Sequence, residues 1–108
     1  MGGLESLTIG LKHPEVFHYV VGMSSAVQGG HFDQQFPAFA GGNENSFAHY
    51  KMLWVACGTE DGLVGPNRQF VTWAKSRNLP VTGVETPGQH TWLVWRDNLL
   101  TVAPLLFR

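Results

Sequence analysis

Two side chains in this sequence stand where acid–base chemistry can be done at the rim of a sheet. Asp61 closes the turn Gly58-Thr59-Glu60, which follows the apolar run Met52 to Cys57. His90 lies in the Gly-led loop Pro87-Gly88-Gln89, after the run Leu79 to Glu85. A carboxylate can accept the Nδ1 proton of an imidazole and fix its tautomer, which leaves Nε2 free to take a proton from a nucleophile. Together they would be the acid and the general base of a nucleophile–base–acid triad, whose chemistry is acyl transfer. Each also has a plainer explanation. Asp61 could be a solvated turn residue or an N-cap for the next helix, and His90 a surface or helix-start histidine. Glu60 is the neighbouring competitor for the acid's place.

Other reactive residue types carry weaker signals. His13, His18, His31 and His49 have no ordered spacing. No His-Glu-x-x-His or Cys-x-x-Cys pattern supports zinc, and the chemistry calls for no cofactor. Cys57 is the single cysteine, so an internal disulfide is impossible. It sits in an apolar run, where burial raises a thiol's pKa and makes it inert rather than nucleophilic. Trp92 and Trp95 are spaced as core residues of the last helix, although either could wall an acyl pocket beside His90.

These residues need elements to position them. Leu4 to His13 reads as a helix with Leu4, Leu7, Thr8 and Leu11 at helical spacing, ended by Pro14. Phe17 to Ser24 reads as a strand, Met52 to Cys57 as a buried parallel strand, and Leu79 to Glu85 as a third. Gln28 to Asn45, with two Gly-Gly pairs, is loop with a short helix around Phe32 to Phe36; so long a loop often binds or covers something. Pro66 to Arg77 is a helix with proline in its first turn and a stripe of Phe70, Trp73 and Ala74. Thr91 to Phe107 is a final amphipathic helix with Trp92, Trp95, Leu99, Val102 and Leu106 on one face, its last turn weakened by Pro104. Such alternation implies a parallel sheet. Three strands make a thin sheet with an unpaired apolar edge, a route to self-association.

Composition narrows the function. A chain of 108 residues that is 44% hydrophobic and 14% charged suits a globular core. So few charges are unusual for a small domain covering all its own surface, and natural where strands are buried in a larger sheet. The net charge of −1 argues against a nucleic-acid partner. No apolar run reaches membrane-spanning length, so no membrane partner is expected.

Taken jointly, three segments resemble the esterase family of the α/β-hydrolases, which includes feruloyl and acetyl-xylan esterases, esterase D and enterochelin esterases. Met1-Gly2-Gly3 is similar to the end of its Gly-x-Ser-Met-Gly-Gly nucleophile elbow. Cys57-Gly58-Thr59-Glu60-Asp61 is similar to its acid-bearing strand end. Thr86-Pro87-Gly88-Gln89-His90-Thr91-Trp92, with Val94-Trp95-Arg96 and Pro104-Leu105-Leu106-Phe107, is similar to its His loop and closing helix, and is the most specific block. Gln89 departs from the pattern, where the family often has a second glycine.

The resemblance implies that residues 1–108 are the C-terminal portion of one α/β-hydrolase domain, a three-stranded mostly parallel sheet with flanking helices. It implies Asp61 as triad acid and His90 as general base, with the nucleophilic serine immediately before Met1. The Met1 backbone amide would then contribute to the oxyanion hole, and small residues at Gly2 and Gly3 would admit close packing of the elbow. Trp92 becomes a candidate substrate-binding residue. The expected substrate is a feruloyl or acetyl ester of plant cell-wall polysaccharide, and the expected compartment of the whole protein is secreted or periplasmic. The competing expectation is a stand-alone non-catalytic module that binds sugar through the 28–45 loop or a protein through its open sheet edge.

Overall fold

The computed structural model describes residues 1–27, 31–39 and 50–107. The elements in chain order are α1 (Gly2–Lys12), β1 (Tyr19–Met23), α2 (Phe32–Gln35), β2 (Met52–Gly58), α3 (Val64–Ser76), β3 (Val81–Thr86) and α4 (Trp92–Val102). A short 3-10 turn follows α2 at Pro37–Phe39 and another follows α4 at Ala103–Leu105. Half of the 28–45 loop lies outside the described residues. The part that is described contains α2 where a short helix was expected.

The strands form one parallel sheet in the order β1-β2-β3. In register, Val20 stands opposite Leu53, and Val55 opposite both Gly22 and Gly83. The central strand β2 is buried almost end to end, from Leu53 to Gly58. That explains its unbroken apolar run, because helices cover both of its faces. Side chains alternate across it. Leu53 and Val55 join Leu7 and Leu11 of α1 and Phe70 and Ala74 of α3 on one face. Trp54 and Ala56 pack with Val102 of α4 in a separate cluster.

The first core is rich in rings. Phe32 meets Phe70 edge-on at 5.6 Å between centroids, and Trp73 packs on Phe32, Phe36 and Phe70. The Trp73 indole N–H donates to Asp33 at 2.8 Å, and Arg77 clamps the same carboxylate through Nε and Nη2. These bonds fasten α2 to the outer side of α3.

The boundaries differ from the sequence expectation where local chemistry intervenes. β1 begins at Tyr19, since Phe17 is exposed, and it ends before Ser24, which turns out of the strand with φ of 49°. β3 begins at Val81, two residues later than expected, because the Leu79 N–H caps the end of α3 through the Ala74 carbonyl. The larger correction concerns the last helix. It stops at Val102 and tightens to 3-10 geometry at Ala103, where Pro104 can no longer donate an α-helical bond. Its buried positions are Val94, Asn98 and Val102, while Trp92 is 65% exposed and Leu99 49% exposed. Apolar side chains lie nearly all round this helix, with Leu93 and Leu100 also exposed. Hydrophobic spacing alone therefore could not choose the inward face.

Candidate active site

Because all three strands run in parallel, their carboxyl ends lie on one rim of the sheet. Ser24 follows β1, Asp61 follows β2 and His90 follows β3. The rim is where an open parallel sheet gathers functional groups.

The structure brings Asp61 and His90 together. The His90 Nδ1–H donates to Asp61 Oδ2 at 2.9 Å. The Asp61 side chain is 1% exposed and the His90 ring 48% exposed. The other carboxylate oxygen, Oδ1, accepts the Leu63 backbone N–H at 2.9 Å. Thus the two competing explanations of Asp61 describe its two oxygens. One organises the entry to α3, and the other faces the imidazole. Burial pushes the Asp61 carboxyl upward, but the Leu63 N–H, His90 and the Ser24 hydroxyl outweigh it, so the group ionises below its usual 3.8. Asp61 is therefore an anion at neutral pH and a fixed acceptor. With Nδ1 committed to it, the neutral ring presents Nε2 as a lone pair. Nε2 has no hydrogen-bond partner among the described residues.

Glu60, which the family resemblance leaves outside the site, holds the histidine loop. Its backbone N–H donates to the Gly88 carbonyl at 2.9 Å, and its carboxylate accepts the Gly88 N–H. The Thr59 N–H adds a bond to the Thr86 carbonyl at 2.8 Å. The Gly88 N–H, with help from the Thr59 hydroxyl, lowers the Glu60 pKa. This contact requires Gly58, since a Cβ there would overlap the Gly88 carbonyl. Gly88 itself takes φ of 128°, a conformation left to glycine. Gln89 does not have positive φ, so the missing second glycine costs the loop no strain.

Of the two tryptophans, Trp95 stands against the histidine. Its ring meets His90 edge-on, with 4.9 Å between centroids and an interplanar angle of 88°. Its indole N–H donates to Ser24 Oγ at 3.0 Å. Trp92 opens the helix and points largely into solvent. Trp95 was weighed from the sequence as a core residue or a pocket wall beside His90, and the structure places it against that ring; Ser24 was assigned no site role. The available signals were a polar residue at the end of an apolar strand on the same rim as Asp61, and an indole one turn beyond His90.

At the head of α1, Met1 is the N-cap residue and is 82% exposed. Gly3 lies so close to Ser25 Oγ and the Met23 carbonyl that a Cβ would collide, whereas Gly2 faces open space. The tight packing expected of both glycines is thus met at Gly3 alone. Through Ser25 and its neighbour Ser24, the α1 terminus adjoins the Trp95 contact.

Cys57 is 2% exposed, and its thiol is pushed up to about 11, first by burial and then by the nearby Asp61 charge. A thiol of that kind is no nucleophile at neutral pH. Among the described residues no group of three or more His, Cys, Asp and Glu side chains is placed to hold a metal. None of the described helices is long and apolar enough to cross a membrane.

Solved structures share this architecture. A ferulic acid esterase superposes with a TM-score of 0.79 at 21% identity, over 97% of this chain and 47% of its own. The S-formylglutathione hydrolase FrmB of Staphylococcus aureus gives 0.75 at 19% identity, over 97% and 47%. The chain has the α/β-hydrolase fold. FphF, a fluorophosphonate-binding serine hydrolase of Staphylococcus aureus, gives 0.77 at 14% identity, over 96% of this chain and 50% of that one. The chain therefore spans about half the length of these α/β-hydrolase structures. No family model matches the sequence.

Proposed function

We propose that the chain supplies the acid and the general base of a serine carboxylic-ester hydrolase whose nucleophile lies in residues outside it. The observation that carries this is the bond from His90 Nδ1 to the buried Asp61 carboxylate, with Nε2 left without a partner among the described residues. In the complete enzyme a serine hydroxyl attacks the ester carbonyl as His90 Nε2 takes its proton. Asp61 keeps the ring in the required tautomer and stabilises the imidazolium. His90 then returns the proton to the departing alcohol, and water hydrolyses the acyl-enzyme by the same route.

The backbone amide of Met1, at the head of α1, is the proposed oxyanion donor, since unpaired N–H groups at a helix start favour developing negative charge. Trp92 remains a candidate substrate contact, reached from solvent rather than from the core. The proposed substrate is a feruloyl or acetyl ester of plant cell-wall polysaccharide. Support for the acyl group is the similarity to a structure described as a ferulic acid esterase. The test is the coding sequence upstream of the Met1 codon. An open frame ending in Gly-x-Ser supports the proposal, and an in-frame stop there contradicts it.

A second reading has its own observation. Among the described residues β1 is hydrogen-bonded to β2 alone, and a groove of about 420 Å³ runs beside it, lined by Ile9, Phe17, Tyr19 and Val21 among others. As a stand-alone product, the chain would use this edge to pair with a protein, a second copy included. Size-exclusion chromatography over a concentration series tests it. Concentration-dependent dimers are expected, and a monomer throughout contradicts edge pairing between copies. Sugar binding through the 28–45 loop concerns residues half of which lie outside the described set.

A further inference from the structure

The contact between Ser24 and Trp95 has no part in the chemistry above, yet it touches both members of the pair. Trp95 Nε1–H donates to Ser24 Oγ at 3.0 Å, and the same indole meets the His90 ring edge-on at 4.9 Å. The Ser24 hydroxyl also lies beside the Asp61 carboxylate. Ser24 is 2% exposed and holds φ of 49° without being glycine. That conformation is uncommon for serine, and strain of this kind persists where surrounding structure enforces it, most often at functional sites. The enforcing bond is the Ser24 N–H to the Ala56 carbonyl at 2.8 Å, which carries the β1–β2 ladder one residue past the strand.

We infer that Ser24 and Trp95 are positioning residues that latch the His90 ring onto Asp61. The inference rests on the hydrolytic reading of that pair. The need for a latch follows from exposure. Among the described residues His90 has one ring hydrogen bond, and it stands half in water, where rotation about χ1 and χ2 would carry Nδ1 away from the carboxylate. Trp95 closes off one direction of that rotation. The indole cannot swing aside, because its N–H is held by a hydroxyl fixed at the end of β1. Ser24 accepts from Trp95 and can still turn its own proton toward Asp61, so one hydroxyl serves both sides of the pair.

The test reads the His90 tautomer in the chain as it stands, from ring ¹⁵N chemical shifts at about pH 8.5, above the usual imidazole range. Trp95→Phe keeps the ring and removes the N–H. Ser24→Gly removes the hydroxyl and suits the backbone, so it retains the fold even if the tryptophan variant does not. The wild-type ring is expected to be mainly Nδ1–H. Each variant is expected to lower the Nδ1–H to Nε2–H ratio roughly five-fold, as loss of one modest hydrogen bond would. The double variant is expected to fall no further than Ser24→Gly alone, since that variant already loses the Trp95 bond. A wild-type ratio in a folded single variant, or additive effects in the double, would overturn the latch while leaving the Asp61–His90 pair intact. A wild-type ring that is mainly Nε2–H would overturn the latch and the hydrolytic reading together.

Discussion

Glu60 and Gly88 are bonded to each other twice, backbone N–H to carbonyl at 2.9 Å and side-chain carboxylate to backbone N–H. Neighbouring carboxylates thus divide the work of holding one histidine. Asp61 grips the ring and Glu60 grips the loop that carries it.

Glu60→Ala should release the loop without dissolving the sheet. The Gly88 amide should lose its protection from hydrogen exchange and behave as an exposed loop amide. Glu60→Gln, which keeps an acceptor oxygen, should retain most of the protection. Equal protection in wild type and the alanine variant would show that the carboxylate bond does not persist in solution.

Asp61 should make stability depend on acid in a defined direction. Its folded pKa lies below the usual 3.8. Its favourable contribution is therefore complete above that value and lost as pH falls through the lower folded pKa. Glu15, Asp33, Glu60 and Glu85 are lowered too, so the wild-type acid transition is collective. Urea unfolding of wild type and Asp61→Asn isolates the one group. The stability gap between them should narrow as pH drops below 3.8. A gap that is constant or widening would contradict the assigned direction.

Cys57 should resist modification. With its thiol pushed up to about 11 and its side chain in the middle strand, an aromatic disulfide reagent should react slowly with native protein at neutral pH and fast in denaturant. Fast native reaction would reopen the thiol as a nucleophile.

Much of the fold was legible because parallel strands leave strong marks. Met52 to Cys57 reads as buried on both faces, and all of it but Met52 is; the stripe of α1 is Leu7 and Leu11 as spaced. Asp61 and His90 were legible as candidates because each follows an apolar run and a glycine turn, and as a pair only through the family resemblance. The support around them was not. Which of Trp92 and Trp95 faces His90 depends on how α4 is rotated, and an almost uniformly apolar helix does not encode that locally. Ser24 reads as the last residue of a strand until its backbone turns. Glu60 acts through a glycine 28 positions away, a relation fixed by strand register rather than by any motif.

Ester hydrolysis by the complete protein, with His90→Ala and Asp61→Asn beside wild type, tests the proposed chemistry most directly. Feruloyl and acetyl esters are the substrates to offer. The alanine variant should be inactive. The asparagine variant should fold and lose roughly 10⁴-fold in kcat, as when a triad acid can no longer fix the histidine tautomer. Full activity in His90→Ala would remove this histidine from the reaction, and with it the claim that Asp61 and His90 are the acid and base of a hydrolase.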